Sequence, residues 1–338
     1  MERIKGAVIG CGGLGKCHLS QLAKIEDVEI VAICDIEETQ FSKIITTNQG
    51  TSEALDLTGI QKYTDAVEML EKEQLDFVTI ALPTYLHEPY SVMALDKGLH
   101  VLCEKPMARS LEGCRNMVEA SKRNGKLLSI GQTLRFNFPY VMIKQAYETG
   151  KYGKLLRLEL SRNSMPPIWG WNNWFMDFKC SGGAAMDLHV HDVDFVNYLL
   201  GLPDALLSDA YHVRSGFDCI STQYIYKDGP IVHVTGDWNM QDSYGFQPDY
   251  IAVFENAVIT NDDNGFKVCT KDGVLREKDF PEEAGKNKYF EEISYFVNCI
   301  RTSAENEIVP MESTMQTIEI VTAEMKSAEM NIMVYFDK

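Results

Sequence analysis

From residue 1 to about 131, short apolar runs alternate with segments whose apolar positions recur at helical spacing. The runs fall at 4–9, 29–34, 77–82, 100–103 and 127–130, and the helical segments at 14–24, 86–97 and 111–123. Runs that are apolar at every position predict strands covered on both faces, as in a parallel sheet between two layers of helices. The breakers agree with this reading: Pro83 follows one run, Gly98 closes one helix and Asn124-Gly125 stops another. Beyond residue 131 the pattern changes. A helix at 139–149, an alternating strand at 154–161 and a long helix at 182–200 precede strand-like runs at 219–226, 231–238, 250–254 and 257–260. Asp228-Gly229 is a hairpin signal between the first two of these runs. Two helices, 289–301 and 312–330, and a candidate edge strand at 332–336 complete the chain. The expected architecture is α/β: a doubly wound parallel sheet over 1–131, then a second domain over 132–338 built on an antiparallel or mixed sheet. A late helix that packs back onto the first domain would move that boundary.

Length and charge narrow the options. A chain of 338 residues suits two domains. A net charge of −17 disfavours nucleic acid and anionic membrane surfaces as partners, so an anionic cofactor must be held by local donors. No window approaches a membrane-spanning run, and the strand pattern starts too early to leave room for a signal peptide. The nine cysteines are scattered without a repeated spacing, which fits reduced thiols and a cytoplasmic location better than disulfides or a zinc ribbon.

Gly10, Gly12 and Gly15 form Gly-x-Gly-x-x-Gly directly after the first strand and at the start of the first helix. In that context the first glycine serves the tight turn, the second lets the backbone approach a pyrophosphate, and the third lets helix and strand pack closely. The helix N-terminus adds exposed N–H groups and a favourable dipole. Asp35 ends the second strand twenty residues after Gly15, the spacing of a ribose-binding carboxylate. It would repel a 2′-phosphate, and Ile36, Glu37 and Glu38 provide no arginine, so NAD is favoured over NADP. Asp35 could instead be a helix N-cap. The first domain is thus a Rossmann-type dinucleotide-binding domain, with Gly10, Cys11, Gly12, Gly13, Leu14, Gly15 and Asp35 as cofactor-binding candidates.

Two further segments carry chemistry. Glu104-Lys105-Pro106 follows a strand at the carboxyl end of the sheet, where ligands bind in such folds. Lys105 could stabilise a developing alkoxide, or be a surface lysine. On a helix over 182–200, Asp187 and His191 share a face, and Asp194 lies three residues further on the same side, while His189 and Asp192 point elsewhere. A carboxylate beside an imidazole suits a general base, although a buried core histidine would look the same in sequence. No metal site is expected, because His189 and His191 fall on different helix faces. Trp169, Trp171, Trp174 and Phe175 could stack on a sugar ring or plug an interface.

Together these residues resemble the glucose–fructose oxidoreductase and inositol dehydrogenase family, Gfo/Idh/MocA. The resemblance rests on the runs at 9–18, 82–87 and 103–106, on Arg135-Phe136, and on Gly-Gly-x-x-x-Asp-x-x-x-His-x-x-Asp at 182–194. It implies catalytic roles for Lys105, Asp187 and His191, and cofactor contacts from Leu82, Pro83, Thr84, His87, Glu104 and Lys105. It also implies a C-terminal α/β domain whose large open, mostly antiparallel sheet mediates assembly, as a homodimer or homotetramer. The expected reaction is hydride transfer between NAD and a secondary alcohol of a sugar, sugar derivative or cyclitol. As alternatives, the resemblance admits an enzyme that uses bound NAD transiently without net NADH, and a non-catalytic dinucleotide or sugar sensor, against which the joint presence of Lys105, Asp187 and His191 argues. This chain departs from the pattern at His189, where many members have glycine. A histidine facing the cleft there would alter substrate choice.

Overall fold

The computed structural model describes residues 3–42 and 56–337. The chain forms two compact units, one of Met1–Thr133 with Asn287–Glu312, the other of Leu134–Lys286 with Ser313–Lys338.

In the first unit the chain runs β1 (Ile4–Ile9), α1 (Gly13–Leu22), β2 (Val28–Cys34), β3 (Gln61–Tyr63), α2 (Ala66–Lys72), β4 (Phe77–Ile80), α3 (His87–Asp96), β5 (His100–Glu104), α4 (Leu111–Asn124) and β6 (Leu128–Gly131). Among the described residues the strands make a six-stranded parallel sheet in the order β3-β2-β1-β4-β5-β6. This is the Rossmann order, and the strand order reverses at the β1–β4 junction, where such folds form a ligand crevice. The apolar runs of the sequence become its interior: Val8, Ile33, Phe77, Val78, Val101 and Leu102 are almost wholly buried. Helix α4 starts at Ser110, whose hydroxyl accepts the Gly113 N–H (3.1 Å), and stops at Gly125 in the left-handed region (φ 60°).

The second unit contains α5 (Phe138–Thr149), β7 (Leu155–Asn163), α6 (Phe178–Ser181), a π turn (Ala185–His189), α7 (Val190–Leu200), β8 (Ala205–Tyr211), β9 (Cys219–Ile225), β10 (Ile231–Asp237), β11 (Gln247–Phe254), β12 (Ala257–Asp262), β13 (Gly265–Thr270), β14 (Gly273–Arg276) and α8 (Pro281–Ala284). Next comes α9 (Lys288–Thr302), which belongs to the first unit, and then α10 (Met311–Met330) and β15 (Val334–Tyr335). Among the described residues, nine strands form one sheet in the order β14-β13-β12-β11-β7-β10-β9-β8-β15, antiparallel except for the β7–β10 pair. One face is apolar, with Leu158, Leu160, Val232, Val234, Ala252 and Ile259 buried at alternate positions.

The sequence reading ends the first domain at 131. In the structure that unit runs to Thr133 and also takes up Asn287–Glu312. The reason is packing: Ile293, Phe296 and Val297 of α9 join Val8, Leu19, Leu22, Ile33 and Phe77 in one core, and Phe296 meets Phe77 edge-on at 5.8 Å. No helix among the described residues is long and apolar enough to cross a membrane.

His100 is expected to make the first unit sensitive to acid. Its Nδ1 accepts the Leu127 N–H (3.0 Å), which a protonated nitrogen cannot do. Burial, reinforced by Lys126, pushes its pKa down from 6.5 to about 4. A folded-state pKa below the unfolded value means stability that is present above the unfolded pKa and is lost as pH falls through the window between them. The thermal midpoint should therefore drop between about pH 6.5 and 4. His100→Asn, which accepts the same bond without titrating, should flatten that slope; an unchanged slope would assign the acid sensitivity to other groups.

Candidate active site

Of the three motif glycines, two are required by the protein's own packing and one is not. Gly10 sits at φ +92°, and a Cβ there would lie 2.4 Å from Ala81 O. At Gly15 an added Cβ would lie 1.7 Å from Gly10 O, so only glycine lets α1 start against the turn. A Cβ on Gly12 would meet no protein atom within 4 Å, and its φ of −68° suits any residue. Glycine at 12 is therefore not explained by packing within the chain, and it leaves room for a group approaching from outside. Helix α1 has no side-chain cap and no acidic residue in its first turn, which suits an anion at that end.

Asp35 is tied to this loop. Its Oδ2 accepts the Cys11 N–H (2.7 Å) and its Oδ1 accepts the Glu37 N–H (2.9 Å), so the carboxylate both holds the loop and turns the chain beyond β2. A carboxylate has further lone pairs for hydroxyl groups. Cys11 is no reactive thiol: burial, then the Asp35 charge, pushes its pKa up to about 12. All nine cysteines are free of disulfides.

The residues predicted on the other loops of this unit separate into accessible and buried groups. Lys105 is the partly exposed position in an otherwise buried run from Val101 to Ala108, and Leu82 and Pro83 are also partly exposed. Thr84, His87 and Glu104 are buried and serve as supports. His87 places Nδ1 2.7 Å from Pro106 O and Nε2 2.8 Å from Leu82 O, linking the loop after β4 to the loop after β5. Burial lowers its pKa, so the neutral ring donates to one of these carbonyls at a time. Glu104 Oε1 pairs with His18 Nε2 at 2.8 Å, and Oε2 accepts the Lys105 N–H at 3.2 Å. The backbone of Lys105 is thus held by a buried carboxylate that α1 braces in turn. The sequence reading gave His18 no role; its place one turn after Gly15, on the buried side of α1, was the available signal.

In the second unit, the helix expected over 182–200 runs on to Leu200 with a π turn inside it. Gly182 and Gly183, at φ of +85° and +67°, lead into it, the π turn covers Ala185–His189, and α7 follows directly at Val190. Close approach requires glycine at its start: a Cβ on Gly183 would lie 1.9 Å from Gly216 O. π turns are rare and recur at functional sites. Between Gly182 and Asn197, Asp187 and His191 are the two positions that are not buried. Asp194, expected on their side, is fully buried instead and forms a bidentate pair with Arg135 (2.9 and 2.7 Å), with Thr317 Oγ1 donating to it at 2.9 Å. Asp192 forms a second buried bidentate pair, with Arg162 (2.7 and 2.8 Å), whose Nη2 also donates to Tyr140 Oη at 3.0 Å. His189 is fully buried against Glu324, turned into its own unit. Trp169 and Trp171 are exposed, at 65% and 40%, while Trp174 stacks on Phe175 at 4.0 Å. No cluster of potential metal ligands occurs among the described residues.

A Rossmann sheet with a glycine cradle, joined to a nine-stranded mixed sheet whose helix presents an Asp and a His, defines the class as a dinucleotide-binding oxidoreductase. Comparison with known proteins agrees. The model of the oxidoreductase family with an NAD-binding Rossmann fold, Gfo/Idh/MocA, matches residues 4–132, and that of the Gfo/Idh/MocA C-terminal domain matches residues 140–275. The chain belongs to the Gfo/Idh/MocA family. It is 27% identical over 346 residues to myo-inositol 2-dehydrogenase of Thermotoga maritima, covering 95% of each chain. It is 25% identical to D-apiose dehydrogenase of Paraburkholderia graminis, covering 97% of this chain and 88% of that one. The crystal structure of myo-inositol 2-dehydrogenase from Lactobacillus plantarum shares the fold, with a TM-score of 0.81 at 23% identity, over 99% of this chain and 100% of that one.

The two kinds of glycine predict different failures. Gly15→Ala should cost several kcal/mol of stability or prevent folding, because backbone cannot move aside cheaply. Gly12→Ala should keep stability within about 1 kcal/mol. It should weaken NADH binding by about tenfold or more, ~1.4 kcal/mol, in a fluorescence titration. Wild-type affinity in Gly12→Ala would remove the loop from the cofactor site.

Proposed function

We propose that this chain is an NAD-dependent dehydrogenase acting on a secondary alcohol of a sugar, sugar derivative or cyclitol. The observation that carries the reading is that Asp187 and His191 reach the surface of a helix whose neighbouring residues are all buried. A sensor has no need of an accessible imidazole and carboxylate presented together. The sugar and cyclitol dehydrogenases among its relatives support the substrate class. Asp35, with Glu37 and Glu38 exposed beside it, supports NAD over NADP, because a 2′-phosphate would meet negative charge.

Bound NAD supplies the hydride acceptor. His191, as the neutral imidazole, takes the proton of the substrate hydroxyl. Lys105, on the first unit, is the donor suited to steady negative charge that grows on a substrate oxygen. Asp187 orients the imidazole for that transfer. Glu104 and His18 act through Lys105 by fixing its backbone. Exposed Trp169 and Trp171 suit stacking on a sugar ring. Exposed Leu207 and Ile231 on the sheet favour assembly into a homodimer or homotetramer.

The test is His191→Ala. A positioned general base contributes about 10²–10⁴-fold to rate, so kcat should fall by that factor with NADH affinity unchanged. A parallel loss of NADH affinity would move His191 into the cofactor site or the fold, and undiminished turnover would remove it from catalysis.

A further inference from the structure

His189 lies inside the π turn, two residues before His191, and is fully buried. Its Nε2 is 3.1 Å from Oε1 of Glu324 on α10, and the Tyr224 hydroxyl on β9 donates to the same oxygen. Glu324 is fully buried and Tyr224 is 2% exposed. On β10, Gly236 makes the room: a Cβ there would lie 2.6 Å from His189 Cβ. One contact therefore ties the π turn to a helix and to two strands.

Such a contact is costly. A carboxylate and an imidazole taken out of water recover their solvation only by satisfying each other. Here the recovery is incomplete, since Glu324 Oε2 and His189 Nδ1 have no hydrogen-bond partner among the described residues. Apolar side chains of similar volume would fill the space with equal or greater stability. What they would not supply is direction, because burial of apolar surface is non-directional whereas a hydrogen bond fixes an angle. Downstream, Asp192–Arg162 and Asp194–Arg135 set the rotation of α7. Upstream, His189–Glu324 is the polar anchor within the π turn. His191 lies between the two sets.

We propose that His189 and Glu324, with Tyr224, form a positioning set that locks the π turn and so aims Asp187 and His191. The catalytic meaning of that aim rests on the dehydrogenase reading above. The set acts through the turn and does not itself touch substrate.

The test uses the full chain labelled with ¹⁵N-histidine, with the His191 ring signals assigned by His191→Ala. Glu324→Gln keeps the volume but removes the charge. It should shift the His191 ring resonances, and should lower kcat about 10–100-fold with KM and NADH affinity unchanged, the scale expected of a small misplacement. A triple variant, His189→Leu with Tyr224→Phe and Glu324→Leu, removes all three buried polar groups together and should recover the thermal midpoint lost in the single variant. Its kcat should stay low. Unmoved His191 resonances in Glu324→Gln, or a kcat that recovers with the thermal midpoint in the triple variant, would overturn the proposal and leave the set a packing feature. If the wild-type protein turns over no polyol while Glu324→Gln still moves the His191 signals, the dehydrogenase reading fails and the positioning set stands.

Discussion

Two buried carboxylates decide which way the helix carrying Asp187 and His191 faces. Asp192 and Asp194 are two residues apart, and each meets an arginine in a bidentate pair with almost no exposure. An uncompensated buried charge costs roughly 3–5 kcal/mol, so any rotation of α7 that separated either pair would be heavily disfavoured. Arg162 comes from β7 and Arg135 from the segment before α5, so the two pairs act from different directions. Asn197 adds a third polar anchor, donating to Ser313 O at 2.9 Å on α10. With these anchors satisfied, the positions between Gly182 and Asn197 left outside the core are Asp187 and His191. The accessible pair is thus a consequence of where the inaccessible charges must go.

The first unit applies a related constraint through backbone. Gly15 permits α1 to start against the β1 turn, and that contact brings His18 within 2.8 Å of Glu104. Glu104 in turn holds the Lys105 amide. The glycine cradle and the lysine loop are therefore mechanically connected through two buried side chains. His87 supplies the second connection, between the loops after β4 and β5.

Much of this was legible in sequence, for reasons that differ by element. The parallel strands stood out because burial on both faces leaves uninterrupted apolar runs; β1 falls where its run does, at Ile4–Ile9. The strands that were missed lack such runs. Gln61–Tyr63 is three residues held by its ladder to β2, Ala205–Tyr211 carries Ser208 and Asp209, Gly265–Thr270 buries only Phe266 and Val268, and Gly273–Arg276 is exposed throughout. The glycine motif and Asp35 could be read because their spacing is local. Asp194 was placed on the wrong side because its partner lies 59 residues away, and helical spacing alone does not reveal that Arg135 will claim it. The need for glycine at 183 has the same origin: the obstacle is Gly216 O, on a distant loop. His189 pointed away from His191, as helix geometry suggested, but only the fold reveals Glu324 opposite it.

The most direct test of the central reading is a screen of sugars and cyclitols with the purified protein and NAD, followed by the absorbance of the reduced nicotinamide, after a titration that compares NADH with NADPH. The account predicts tighter binding of NADH and net NADH formation on at least one polyol. Binding of NADH with substrate conversion but no net NADH would contradict the dehydrogenase assignment in favour of an internal redox cycle, and preference for NADPH would contradict the role given to Asp35.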